Sequence, residues 1–320
     1  MWFYIFILLP KIVFMPKPKV ATITLSWNQK EDLRELLSCI KKQAYKPKTV
    51  VVDNGSTDGT VEMVKKEFPE VKFYQLNENT GYASGYNVCF QMVPKDIDYV
   101  VVLDQDLIID NDYIEKIVRR FEKEPNNTAI IAGDVQETRI KSLALPEAYI
   151  KGFHGSSFAY RNMYKKYMKY PSRFFAHTCE VDLAARLLNR GLKILFYPRV
   201  KTIHKRDSAK RDDFRIFLET RNGLWFAWRN CDFKNAIIYS MVFLPIFYSK
   251  ASKSEQIPAF LKGVAAAIGG LPYCLRTREV CKQITYRDIY DLKKVGTLLR
   301  VATLGKTDFS KDLKMPVQNN

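Results

Sequence analysis

The sequence predicts an α/β fold, a mostly parallel sheet flanked by helices, with a helical basic C-terminal region. Three observations predict it. From Lys19 onward, short β-branched runs alternate with segments of helical periodicity, the pattern of strand-helix-strand units. Polar, Gly- and Asn-rich stretches follow those runs rather than interrupt them, as expected of turns at strand ends. Positive charge then accumulates late: Lys193 to Asn320 holds 24 Lys and Arg against 11 Asp and Glu.

The elements follow in order. Val20 to Ser26 reads as a first strand, after which Asn28 is placed to cap a helix with Glu31 three residues on and Leu33, Leu36, Leu37 and Ile40 on one face. Thr49 to Asp53 is a second strand, followed by the turn NGSTDG and a helix with Val61, Val64 and Phe68 inward. Val71 to Leu76 is a third strand. Tyr99 to Leu103 is a fourth, before a helix that carries Tyr113, Ile114, Ile117, Val118 and Phe121 on its apolar face. These boundaries divide the chain into an extension or short anchor (1–18), an α/β domain (19–230) and a helical basic region (231–320).

At 320 residues and 47% hydrophobic content the chain can build a sizeable core. Its formal charge of +17 favours anionic partners, but no nucleic-acid-binding motif accompanies it, so nucleic acid is not an expected partner. The six scattered cysteines form no CxxC pair, which fits a reducing, cytoplasmic compartment. The opening MWFYIFILLPKIVFMPKPK has an apolar run ending at Leu9, too short to span a bilayer. Two readings stay open there: a frame that truly starts at Met15, or a short interfacial anchor.

Open sheets of this kind bind ligands beyond the carboxyl ends of their strands, and polar residues stand there. Asp53 ends the second strand, Asn77 and Asn79 follow the third, and Asp104 and Asp106 follow the fourth. In an extended segment, residues i and i+2 point the same way, so the carboxylates of VVLDQD are expected to converge. Two such charges repel unless a cation joins them, and hard oxygen ligands suit Mg²⁺ or Mn²⁺ carrying phosphates.

Taken in order, ITLSWNQKEDLRELLSCI, VVVDNGSTDGT, NENTGYASGYNVCF, VVLDQD, CEVDLAARLLNRG and YPRVKTIH resemble the family-2 glycosyltransferases with the GT-A (Rossmann-like) fold, over about Lys19 to His204. The Leu-Asp-Gln-Asp form is similar to the bacterial rhamnosyltransferase branch. The resemblance implies that Ser26, Asn28 and Asp53 cradle a nucleotide, and that Asn79, Gly81 and Asn87 position it at a helix N-terminus. It gives Asp104 to the ribose or sugar, and Asp106, with His204, to the metal that bridges the diphosphate.

A transferase that inverts the anomeric centre needs a base for the acceptor hydroxyl. The segment that resembles the family's acidic signature is Cys179-Glu180-Val181-Asp182-Leu183, with Cys179 where the first acid usually stands. Glu180 is the expected base and Asp182 the second choice or an orienting group. Arg221, with Lys205, Arg206, Lys210 and Arg211, is a candidate clamp for phosphate.

The expected function is transfer of a sugar, rhamnose among the candidates, from a dTDP- or UDP-linked donor to a glycan or lipid-linked acceptor for surface polysaccharide. A nucleotidyltransferase would carry a basic phosphate loop where Ser26-Trp27-Asn28-Gln29 stands. Cys179 motivates a non-catalytic sugar-nucleotide binder, and the charge a polyanion binder. The apolar stretches at Ala236 to Tyr248 and Phe260 to Leu275 are read as helices that pack on the core or lie on the inner face of the membrane.

Overall fold

The computed structural model describes residues 16–137, 145–205 and 212–284. Arg206, Lys210, Arg211, the tail from 285 and most of the N-terminal extension lie outside them.

Four strands run parallel at the start: β1 (Val20–Ser26) between β2 (Lys48–Asp53) and β4 (Tyr99–Leu103), with β3 (Lys72–Gln75) outside β2. Their helices are α1 (Lys30–Lys42), α2 (Thr60–Glu67) and α3 (Gly81–Met92). Alternation along the strands divides the core into two layers. Ile23, Val50, Val52, Val100 and Val102 face one cluster, which includes α3, whereas Val51, Val101 and Leu103 face the other beside α1. Strands buried on both faces are why VVVD and YVVVL read as continuous apolar runs.

Beyond β4 the sheet becomes mixed. The strands are β5 (Leu107–Ile109), β6 (Thr128–Glu137), β7 (Ala148–Ile150), β8 (Ser157–Arg161) and β9 (Lys193–His204), in the order β3-β2-β1-β4-β8-β6-β9-β5, with β7 also on β9. Here β8 is antiparallel to β4 and β6, β6 is parallel to β9, and β5 and β7 are antiparallel to β9. The expected parallel arrangement is thus the N-terminal half of the sheet. Helix α4 (Tyr113–Lys123) buries all five residues anticipated for its apolar face.

Helix α5 (Cys179–Asn189) leads into β9, and α6 (Asp213–Asn230), α7 (Phe233–Lys253), α8 (Ile257–Gly269) and α9 (Leu271–Arg276) follow. The apolar stretches after residue 230 are helices that share the main core through Ala236, Tyr239, Phe243, Phe247 and Phe260. No helix among the described residues is long and apolar enough to cross a membrane.

One local expectation is corrected. Asn28 does not cap α1. It sits at φ +41 before Gln29, and the Lys30 N–H at the helix start donates instead to Asp58 Oδ2 at 2.9 Å. Asp58 also accepts from the backbone and hydroxyl of Thr60, so a single carboxylate serves the starts of α1 and α2. Burial would raise that carboxyl, yet these hydrogen bonds hold it below the usual range.

Candidate active site

Asp104, Asp106 and His204 converge. One ligand atom from each lies within 4.8 Å of the others, and His204 Nε2 is 3.3 Å from Asp106 Oδ1. Sequence placed the two acids together by strand alternation, but the route is different. The chain turns at Gln105 and Asp106, and the pairing of Leu107 with His204 across β5 and β9 carries Asp106 to the histidine. Gln105 faces the other way: its side-chain amide pairs with both the N–H and the C=O of Trp27.

Asp104 hangs from the end of β4. Its N–H donates to the Ser156 carbonyl at 2.8 Å and its carboxylate accepts the Tyr86 hydroxyl at 2.7 Å. Burial, and then the Asp106 charge, push the Asp104 carboxyl up to about 7. Two carboxylates forced together, buried Asp106 and half-buried Asp104, with an imidazole beside them, fit a divalent cation, which would relieve that repulsion.

Glu180 occupies the first turn of α5, half-buried. It lies against Gly155, whose carbonyl accepts the Tyr82 hydroxyl at 3.1 Å. A Cβ at Gly155 would lie 3.2 Å from that hydroxyl and 3.3 Å from Glu180 Cβ. The glycine therefore allows the base candidate to approach the β4 end. Sequence reasoning passed over Tyr82, Tyr86 and Gly155, although tyrosines at i and i+4 just after Gly81 were a visible helical pair.

Asp182 is engaged with α5 and α6. It is fully buried and accepts from Arg186 Nε at 2.8 Å, Arg229 Nε at 3.0 Å and Asn230 Nδ2 at 3.0 Å. A carboxylate so engaged ties α5 to α6. Cys179 is buried as well, and burial raises its thiol well above the ordinary value.

The nucleotide candidates divide. Asn28 Oδ1 accepts from the Thr57 N–H at 2.8 Å while its own N–H donates to Ser56 Oγ, which locks the loop after β1 to the loop after β2. Asp53 is closed from solvent and its oxygens accept from the backbone and hydroxyl of Ser56, an Asx-turn in place of the expected base contact. Ser26 is also fully buried. Asn79 Oδ1 accepts from Asn54 Nδ2 and the Gly81 N–H, and the Ala83 N–H goes to the Phe175 carbonyl. Two amides expected to face phosphate at the start of α3 are therefore already engaged. Gly81 is required on two counts: φ is +83, and a Cβ would fall 2.5 Å from the Phe175 ring.

Asn87 and Arg221 are engaged within the protein. Asn87 accepts from the Tyr170 N–H at 2.7 Å and donates to its carbonyl at 2.9 Å, so it clamps that segment. Arg221 donates to the carbonyls of Arg173 and Phe174 and lies over the Trp225 ring. Its neighbour Asn222 donates to the carbonyls of Phe174, Ala176 and His177. Together they hold a loop in which Phe175, His177 and Thr178 all have positive φ, immediately before Glu180. Lys205 is paired with Asp32 and Glu35 of α1. His154 bonds through Nδ1 to Ser156 Oγ, with its ring 6.2 Å from that of His204.

Comparison with known proteins places the fold. The solved mannosyltransferase PcManGT from Pyrobaculum calidifontis, in complex with GDP-Man and Mn2+, superposes with a TM-score of 0.53 at 16% identity, covering 91% of this chain and 88% of that one. TarS from S. aureus gives 0.56 at 16% identity, covering 89% of this chain and 52% of its own. Both show a shared GT-A fold. In sequence, poly-beta-1,6-N-acetyl-D-glucosamine synthase from Staphylococcus aureus (strain COL) is 31% identical over 107 residues, 32% of this chain and 26% of that protein. The Staphylococcus epidermidis synthase is 28% identical over 114 residues, 27% of its length. The chain thus spans about a quarter of the length of these curated relatives. The sequence model described as "Glycosyl transferase family 2" matches residues 22–182, half of the chain, and the chain belongs to that family.

Proposed function

We propose that this glycosyltransferase is an inverting, metal-dependent enzyme that moves a sugar from a nucleoside-diphosphate donor to a hydroxyl of a glycan or lipid-linked acceptor, in the synthesis of a cell-surface polysaccharide at the cytoplasmic face of the membrane. The observation that carries this reading is the convergence of Asp104, Asp106 and His204 within 4.8 Å of one another, with Glu180 against Gly155, whose neighbour Ser156 accepts the Asp104 N–H.

Asp106 and His204, with Asp104 beside them, would hold Mg²⁺ or Mn²⁺. When bound, such an ion supplies charge neutralisation for the departing nucleoside diphosphate. Tyr86 orients Asp104, which is placed to accept a ribose or sugar hydroxyl. Trp27, 47% exposed and pinned by Gln105, offers the nucleotide base an aromatic face. Glu180 takes the acceptor proton as the hydroxyl oxygen attacks the anomeric carbon opposite the leaving diphosphate. Asn28, Asp53, Asn79 and Gly81 shape the floor beneath the nucleotide rather than touch it.

The resemblance of VVLDQD to rhamnosyltransferases favours dTDP as carrier, with UDP next. GDP is included in the test because a protein of similar fold was solved with GDP-Man. The experiment is a thermal-shift panel of dTDP, UDP, GDP and CMP with Mg²⁺, Mn²⁺ or EDTA, on wild type and Asp106→Asn. Ligand at about 100 times its dissociation constant adds roughly 2.7 kcal/mol. A metal-dependent shift with one nucleotide, lost in the variant, supports the reading and names the donor. No shift from a folded sample overturns it, and a shift without turnover for any donor and acceptor leaves a binding protein.

A further inference from the structure

Helix α7 is apolar on two faces. Ala236, Tyr239, Phe243, Phe247 and Ala251 form one stripe, all buried in the core. Phe233, Ile237, Met241, Leu244 and Tyr248 form another at spacings of four, four, three and four, which places them on one face of a helix. Against the rule that an apolar helical stripe is buried, this one is open: Phe233 is 58% exposed, Ile237 43%, Met241 69% and Tyr248 49%. Exposed Leu261 and Ile268 make a shorter stripe on α8, seven residues apart.

The charge around these faces is one-sided. From Asp232 to Arg278 the cations are Lys234, Lys250, Lys253, Lys262, Arg276 and Arg278, and the acids are Asp232 and Glu255. Arg278 places its guanidinium 3.8 Å from the centre of the Phe233 ring. Apolar side chains with a cationic rim match the interface of an anionic bilayer, where the rings and aliphatic chains enter the acyl boundary and the cations meet headgroup phosphates. A second copy of the chain fits less well, since pairing the faces would bring like-charged rims together on molecules of charge +17.

We propose that the outer stripe of α7 is a docking surface for an anionic lipid bilayer, holding the active site beside acceptors in the membrane. This deepens the membrane-face reading above, but its test is separable from nucleotide binding. The test is vesicle flotation of the full chain with phosphatidylcholine alone or with about 40% phosphatidylglycerol. Wild type is compared with Ile237→Glu/Met241→Glu and with Lys234→Glu, none of which touches the active site. Because these side chains are exposed, the variants should keep the wild-type melting temperature and nucleotide shift.

The expected result is flotation of wild type with anionic vesicles only, weakened by raised salt. The double variant should bind at least tenfold more weakly, and the charge reversal Lys234→Glu should cost at least about fivefold. Failure of wild type to float, or flotation unchanged in the folded double variant, overturns the proposal. Sedimentation of the same samples supplies the other outcome: a dimer dissolved by Ile237→Glu/Met241→Glu would assign the stripe to a second copy and overturn the bilayer.

Discussion

His204 Nε2 stands 3.3 Å from Asp106 Oδ1, and the two meet because β5 pairs antiparallel with the last residues of β9. Nearly a hundred residues of chain separate them, so their contact depends on the sheet being complete. Asp106→Asn should lower turnover by about 10²-fold or more, as expected on losing a Lewis acid that contributes several kcal/mol. Without metal the same variant should melt no lower than wild type, because it removes a like charge from Asp104. Melting curves with and without Mn²⁺ check both halves. His204→Ala should weaken metal affinity without abolishing it.

Glu180 and Asp182 stand two residues apart and predict opposite phenotypes. Glu180→Gln should lose about 10² to 10⁴ in turnover with nucleotide binding and melting temperature near wild type. Asp182→Ala leaves Arg229 and Arg186 without their carboxylate and should cost roughly 3 to 5 kcal/mol of stability. Denaturant unfolding beside a single-turnover assay separates them, and a Glu180→Gln enzyme with full activity would remove it as the base.

Stability should depend on acid through Asp182. Burial by itself would raise that carboxyl, but the charges of Arg186 and Arg229 outweigh it and hold it below the ordinary value. A carboxyl depressed in the folded state contributes stability that is present above its unfolded value, about 3.9, and is lost as pH falls through the folded value. Urea midpoints should therefore decline below about pH 4. In Asp182→Asn this part of the decline should be absent.

Asn222 should act on catalysis without touching substrate. It donates to three carbonyls of the loop that sets the start of α5, where non-glycine residues at positive φ each cost about 1 to 3 kcal/mol. Asn222→Ala frees those carbonyls and should let the loop relax, moving Glu180. The expected signature is a lower kcat with little change in KM for the donor, and Asn222→Gln should not restore it because the longer chain misplaces the amide.

A tighter test of the same loop is Gly81→Ala. The new methyl would meet the Phe175 ring in a backbone conformation that costs an L-residue about 1 to 2 kcal/mol. The variant should lose at least that much stability, read from its urea midpoint, and Phe175→Ala in the same chain should recover part of it.

The alternation of strand and helix, the apolar faces of α1 and α4, and the two acids at the end of β4 were legible in the sequence. Each depends on local period: two in a strand, 3.6 in a helix, and both are written in neighbouring residues. The identity of the family was legible for a related reason, since its motifs are short and ordered along the chain. What only the tertiary structure decided was which polar side chains remain available for chemistry. Asp182, Asn87 and Arg221 carry suitable groups in suitable motifs, yet Asp182 is taken by Arg229 and Asn230, 47 and 48 positions away, Asn87 by Tyr170, and Arg221 by a loop 47 and 48 positions back. Tyr86 sits in a quoted motif, but only the packing of α3 on the sheet brings it to Asp104. A hydrogen bond satisfied by a partner distant in the chain leaves no periodic trace in sequence, and that is the physical reason the fold could be read along the chain while the site had to be read across it.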